Sequence, residues 1–277
     1  YTNETAEIFT TETSDRAFEE EVMLSGFGSA ATKAEGASVT FDDAKEAFTA
    51  RYTHQTIALA FAITEEAIED NLYDRLGNRY ARALARSMAN TKQVKGAEIL
   101  NNAFSTSQLG GDGVVLCSTA HPTVSGTNLS NTFTTQADLS ETSLESALIN
   151  IAAFIDERGL KISIQGTKLI LPKELQFTAE RILKSPLRVG TADNDINAIA
   201  NMNMIPEGYR VNHYLNDTNA WFIKTDTPNG FKHFVRAALR TAMEGDFDTG
   251  NVRYKARERY SFGFSDPRCV YGSSGSS

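Results

Sequence analysis

Ile57, Leu59, Phe61 and Ile63 alternate strictly with Ala58, Ala60 and Ala62, and a period of two predicts a strand. Immediately downstream the period changes. Leu72, Leu76, Ala83 and Val94 fall on one side at helical spacing, and no proline interrupts Thr64 to Phe104. That stretch predicts one helix of about forty residues, roughly 60 Å long at ~1.5 Å per residue. Thr64 suits its N-cap, and Glu65, Glu66, Glu69, Asp70 and Asp74 crowd the first turns, where the helix dipole favours negative charge. Gly77 and Gly96 each weaken it by about 1 kcal/mol relative to alanine, so packing must hold it. So long a strut suits a flat, plate-like molecule better than a compact globule.

Upstream the pattern thins. Residues 1–25 carry seven acids (Glu4, Glu7, Glu12, Asp15, Glu19, Glu20, Glu21) against one base, Arg16. With few apolar positions this segment reads as an arm that becomes ordered by lying on a neighbouring subunit, or else as a frayed terminus. Gly26, Gly28 and Gly36 punctuate the next region. Strand-like runs at Ala37–Phe41 and Ala47–Ile63 flank the turn-prone Asp42-Asp43-Ala44-Lys45, which predicts an extended β-hairpin over 26–63. A two-stranded ribbon is marginal alone and must rest on another surface.

Past the long helix, 110–135 is a loop region rich in Gly, Ser, Thr and Asn, and helix and strand then alternate. Thr142–Arg158 reads as an amphipathic helix ended by Gly159, and Thr167–Leu171 as a buried strand. Pro172 opens a helix running to about Lys184, and 186–203 holds a loop and a short helix. Tyr209–Leu215 and Ala220–Thr225 read as a hairpin across Asn216-Asp217-Thr218-Asn219. Phe231–Ala242 and Val252–Phe264 form long strands around a polar tip at Glu244–Asn251, and Gly272–Ser277 reads either as a linker scar or as a naturally flexible tail. The domain divisions that follow are 1–25, 26–63, 64–137, 138–230 and 231–277.

With 277 residues, 41% hydrophobic and 22% charged, the chain is an ordinary folded protein of one large domain or two intimate ones. No apolar run approaches the ~20 residues that span a bilayer, so no membrane partner is expected. A first residue of Tyr1 instead of Met implies that something upstream is processed or omitted. Cys117 and Cys269 are the only cysteines, which excludes a disulfide framework and fits a reducing cytoplasm. A net charge of −8 argues against a dedicated nucleic-acid binder. Catalytic constellations are thin: no G-x-S-x-G elbow, P-loop or H-E-x-x-H occurs. Cys117 and His121 lack the further ligands that a structural zinc needs, while His54, His213 and His233 read as packed or surface side chains. No catalytic residue, cofactor site or metal site is assigned, and the chain is not read as an enzyme.

Arg75, Arg79, Arg82 and Arg86 lie within about 60° of arc on the long helix. Three readings of this basic stripe stand: a solvated face, a dock for acids of another segment or subunit, or a loose contact with nucleic-acid phosphates. Glu19, Glu20 and Glu21 of the arm are the obvious acids for the dock. Asp42, Asp43 and Lys45 at one turn, and Asp246, Asp248 and Asn251 at the other tip, complete the candidate assembly residues.

Taken together these parts resemble the major capsid proteins of tailed double-stranded DNA phages, the Hong Kong 97 fold, and look closest to the major head subunits of Mu-like phages. The local carriers are Gly166-Thr-Lys-Leu-Ile-Leu-Pro-Lys-Glu-Leu175, Asn194-Asp-Ile-Asn-Ala-Ile199 and Arg257-Glu-Arg-Tyr-Ser-Phe-Gly-Phe-Ser-Asp-Pro-Arg268. The resemblance implies an α+β fold with an N-terminal arm, an extended loop, a spine helix at 64–104, a peripheral domain and an α/β axial domain at 138–230. It implies a virion protein made in the bacterial cytoplasm, with identical subunits as partners in hexamers and pentamers of an icosahedral shell. Packaged double-stranded DNA would be touched weakly, and scaffolding, portal and cement proteins are further partners it admits. Some members crosslink a loop lysine to a peripheral asparagine; Lys33 or Lys45 and Asn251 occupy similar regions, but the bond is not carried over. An encapsulin-type nanocompartment, a tail or baseplate component and an α/β enzyme on 138–230 are the rival readings.

Overall fold

A computed structural model describes residues 3–70, 73–188, 195–246, 248 and 250–276, with the backbone alone at 73–76 and 78. In chain order the elements are β1 (Thr10–Thr13), β2 (Phe18–Leu24), β3 (Glu46–Thr53), β4 (Gln55–Ile63), α1 (Glu65–Glu69) and α2 (Tyr73–Asn101). Then come α3 (Glu141–Ala152), β5 (Gly166–Leu171), α4 (Gln176–Lys184), α5 (Ala198–Asn201), β6 (Tyr209–Val211) and β7 (Trp221–Thr225). Last are β8 (Phe231–Gly245), β9 (Val252–Phe264) and β10 (Val270–Ser273). The chain divides into two units, one of residues 1–19, 52–96 and 232–263, the other of 20–51, 97–231 and 264–277.

In the first unit four strands lie in the order β1-β8-β9-β4, with β1 parallel to β8 and β4 antiparallel to β9. One face of this sheet packs on α2: Leu84, Met88 and Ala256 are buried together, with Ile57 and Phe61 against them. Leu84 and Met88 hold the helix; of the expected stripe, Ala83 and Val94 are exposed, and Leu72 and the Leu76 side chain lie outside the described residues. The expected forty-residue helix is divided. α1 ends at Asp70, whose φ of −71° and ψ of 4° leave the helical region, and 71–72 lie outside the described residues. Like charges at i,i+4 (Glu65 and Glu69, Glu66 and Asp70, Asp70 and Asp74) oppose a continuous helix there. Thr64 occupies the N-cap in extended conformation, yet its side chain makes no capping bond.

Residues 3–19 of the N-terminal arm fold onto the first unit, which corrects the expectation that this part needs a neighbour; β2 beyond them keeps Val22 and Leu24 exposed. The arm's two apolar anchors, Ile8 and Phe9, are buried, with Phe9 edge-on to Phe262 at 4.9 Å. Gln93 Oε1 accepts from the backbone N–H groups of Glu4 (3.0 Å) and Thr5 (3.1 Å). Glu12 on β1 pairs with Lys232 on β8.

The second unit holds a four-stranded sheet ordered β10-β7-β5-β6. Its core contains Leu144, Ala147, Ile151, Leu169, Leu171, Trp221, Ile223 and Tyr271, so α3 buries its apolar face on the sheet. Three expectations change here. β5 runs between β6 and β7, parallel to one and antiparallel to the other, so 209–225 is not a hairpin. α3 stops at Ala152, and Gly159 (φ 82°) instead closes a turn in which its N–H donates to Asp156 O. Gly272 and Ser273 are buried in β10, and Ser276 bonds Asp138, so the chain is fixed to at least Ser276.

The expected hairpin over 26–63 does not form. β3 pairs with β2 of the arm, β4 pairs with β9, and 37–41 belongs to no strand. The run Ala47–Ile63 divides at buried His54, whose Nε2 lies 2.9 Å from Ser14 Oγ and Nδ1 3.0 Å from Ser261 Oγ.

Candidate assembly surface

Residues 26–45 form an irregular segment without helix or strand, and every side chain in it but the position at Gly28 is exposed. Phe27, Val39 and Phe41 are 61%, 66% and 96% exposed, three large apolar side chains on one stretch. Both ends are tied. Ser25 N–H donates to Lys45 O (2.8 Å), and Lys45 N–H donates to Ser25 Oγ (2.9 Å), which closes the base. Asp42 accepts from Gly28 N–H at 2.7 Å and from Arg158 Nη2 at 2.7 and 2.8 Å. The Gly28 amide first, and the Arg158 guanidinium next, hold the Asp42 carboxyl below its ordinary pKa. Asp42 thus anchors the loop to its own unit, while Asp43 and the Lys45 side chain point outward. Solvated backbone and exposed aromatic rings on a tethered loop form a surface that another protein can cover.

The other expected assembly residues do not gather at one site. Arg79, Arg82 and Arg86 are exposed on α2, and no acid among the described residues forms an ion pair with them. The Arg75 side chain lies outside the described residues. The arm's acids are engaged elsewhere: Glu19 accepts from Ser14 Oγ (2.6 Å), Glu20 faces Arg51 (3.7 Å) and Glu21 accepts from Ser265 Oγ. That removes the expected match between the acidic arm and the helix stripe within a chain. At the β8–β9 tip, Asp246 pairs with Arg253, and its N–H donates to Asn251 O (2.8 Å). Asp248 is exposed there.

His121 and both cysteines are structural. His121 Nδ1 lies 2.6 Å from Asp112 Oδ2, and Nε2 lies 3.2 Å from the side chain of fully buried Asn131. Asn131 in turn donates to Leu116 O and Pro267 O, stitching the long loop to the end of the chain. Burial pushes both the Cys117 and the Cys269 thiols up, which makes them inert. No group of three potential ligands suited to a metal occurs among the described residues. Sequence reasoning also missed a buried ion cluster in which Arg268 bonds Glu157 (2.8 Å), Asp266 (3.2 Å) and Ile155 O (2.7 Å). Long separation along the chain hid it. No helix among the described residues is long and apolar enough to cross a membrane.

The fold has solved counterparts. The capsid of the cyanophage P-SCSP1u superposes with a TM-score of 0.61 at 12% identity, covering 95% of this chain and 85% of that one. The capsid of an empty GTA particle gives 0.58 at 14% identity, with 98% and 88% covered. The capsid of Myoviridae phage XM1 gives 0.55 at 10%, with 97% and 89% covered. At such identities the likeness is one of fold, the Hong Kong 97-like fold of tailed-phage capsids. A search of curated proteins finds no match. The sequence model of one family, described as phage capsid protein, matches residues 45–273. With most of its length accounted for in this way, the chain belongs to the phage capsid protein family and is a shell-building structural protein.

Proposed function

We propose that this chain assembles with identical copies, as hexamers and pentamers, into the icosahedral head that encloses a double-stranded DNA genome, and that it does so in the bacterial cytoplasm. The observation that carries the reading is the tethered loop 26–45, which presents Phe27, Val39 and Phe41 to solvent. Residues 3–19 of the arm do not support it, because they are satisfied within the first unit. Asp43 and Lys45 on the loop, Arg79, Arg82 and Arg86 on α2, and Asp248 at the β8–β9 tip are the candidate contacts between copies. Glu19, Glu20, Glu21, Asp42 and Asp246 are candidates whose side chains hold their own chain together; Asn251 bonds its own tip through its backbone carbonyl, so its side chain remains a candidate contact, and the Arg75 side chain lies outside the described residues. In this reading the second unit's α/β core takes the axial role and the first unit's sheet and helix the peripheral one. The net charge of −8 keeps contact with packaged DNA weak.

Electron microscopy and size exclusion of the purified protein test this. Closed particles or capsomer rings are expected; a chain that stays monomeric at all concentrations and salts overturns the proposal. Particles filled with protein cargo and free of nucleic acid overturn the genome-enclosing part and favour a nanocompartment.

A further inference from the structure

The first unit's sheet has a second face, opposite α2; Tyr52 and His54 cover it at Phe234 and Ser261, and beyond them its own chain leaves it open toward the β8–β9 tip. β9 reads Arg253, Lys255, Arg257, Arg259 at alternate positions, so all four point the same way, about 6.6 Å apart along the strand. Across the ladder each meets a small residue: Ala62, Ala60, Ala58 and Thr56, in that order, all of them exposed. A carboxylate opposite any of these cations would give a cross-strand ion pair, and β4 supplies none.

β8 adds to the same face. His233 stacks on Phe262 at 4.3 Å, and Tyr260, on the same side as Phe262, lies under Lys92 of α2. Odd positions of β8 and even positions of β9 therefore share the helix side, which leaves Arg236 and Arg240 with the β9 cations on the other. Buried His54 lies beside this face: burial first, then the charge of Arg259 and less strongly that of Arg236, hold its pKa below the ordinary histidine value against the opposite pull of Glu19. Arg253 is paired with Asp246. The Nε–H groups of Arg236 and Arg259 are covered but make no hydrogen bond among the described residues. Apart from Lys232, which pairs with Glu12 of β1 on this side, six cations on one sheet face of a chain with net charge −8 form a segregated patch.

The same unit carries the complementary patch. Glu65, Glu66 and Glu69 of α1 and Asp70 at its end are all exposed, with no Lys or Arg between Thr53 and Asp74. Resting on the reading of the chain as a shell subunit, we propose that the basic face of β8 and β9 docks the acidic α1 segment of a second copy. Two different patches on one molecule make a head-to-tail contact, the kind that forms a ring when its rotation closes. A second copy is favoured over nucleic acid because the rest of this chain is acidic and repels phosphates. The loop 26–45 is the weaker occupant, since Lys33 and Lys45 offset most of its acids.

Charge exchange in the full chain tests the contact, with wild-type assembly as the reference for the shell reading itself. Lys255→Glu with Arg257→Glu, and separately Glu66→Lys with Glu69→Lys, are each expected to raise the concentration needed for assembly at least tenfold. All four positions are exposed, and urea midpoints matching wild type confirm folding. The quadruple variant is expected to assemble again, and the two double variants are expected to co-assemble when mixed. Assembly unaffected by either pair, or failure of both the quadruple variant and the mixture, overturns the proposal. So does the nucleic-acid outcome, in which Lys255→Glu with Arg257→Glu assembles normally but loses retention of a double-stranded DNA fragment.

Discussion

Gly96 reverses the usual sign of a helical glycine. In an exposed helix Gly→Ala gains about 1 kcal/mol, but a Cβ at Gly96 would overlap the Thr5 methyl and come 3.2 Å from Thr5 Cβ. Gly96→Ala is therefore expected to destabilise by at least about 1 kcal/mol and to expose the arm to proteases, with Thr5→Ala relieving most of the loss in a double-mutant cycle. Residue patterns alone register only the glycine's cost, because the contact joins positions 91 apart in sequence. His233 is a second case. Burial first, and the Lys92 charge next, push its pKa down to about 4. Between the ordinary histidine value and about 4 the unfolded chain binds a proton that the folded chain refuses, so stability falls as the pH is lowered through that window. From pH 7 to 5 this amounts to about 2 kcal/mol. Urea unfolding at both pH values should show that loss in wild type and a smaller one in His233→Phe; equal losses would remove His233 as the cause.

Two helix starts that look alike in sequence differ in what their caps do. At α3, Ser140 Oγ accepts from Ser143 N–H (3.1 Å) while Ser143 Oγ accepts from Ser140 N–H (2.9 Å), a reciprocal box. At α1, Thr64 makes no such bond. Thermal unfolding should register a loss of about 1 kcal/mol for Ser140→Ala and a change within about 0.5 kcal/mol for Thr64→Ala. The existence of elements was legible: β5, β8, β9 and α3 follow from their patterns, and most of α2 from its proline-free, charged stretch, although its buried side runs through Leu84 and Met88. Their partners were not. A period of two says that a strand has a buried side, not which strand lies beside it, so 209–225 looked like a hairpin although β5 separates its strands. The same gap led 37–41 to be paired with 47–63, when β3 took β2 instead. The basic row on β9 was in the sequence at strand spacing, but without β4 beside it the row had no face to belong to.

On the scale of the whole molecule, folding and assembly draw on different residues, and Phe41 separates them. Within one chain Phe41 is 96% exposed, so Phe41→Ser should leave the unfolding midpoint of the unassembled protein within about 0.5 kcal/mol of wild type. Covered by another copy, the ring would instead contribute about 1.5–3 kcal/mol of apolar burial. Each copy in a shell offers its own loop once, so that loss recurs at every subunit added. A factor of ten in concentration corresponds to about 1.4 kcal/mol, and the threshold for assembly should therefore rise on the order of tenfold to a hundredfold. Light scattering across a protein dilution series measures the threshold, and a denaturant melt of the dilute chain measures the fold. Asp42→Ala should act in the same direction but less strongly, because it frees the loop from Arg158 and Gly28 without removing the ring that is to be buried. If Phe41→Ser instead lowers the unfolding midpoint and leaves the threshold alone, the loop serves its own unit and the surface that joins copies lies elsewhere.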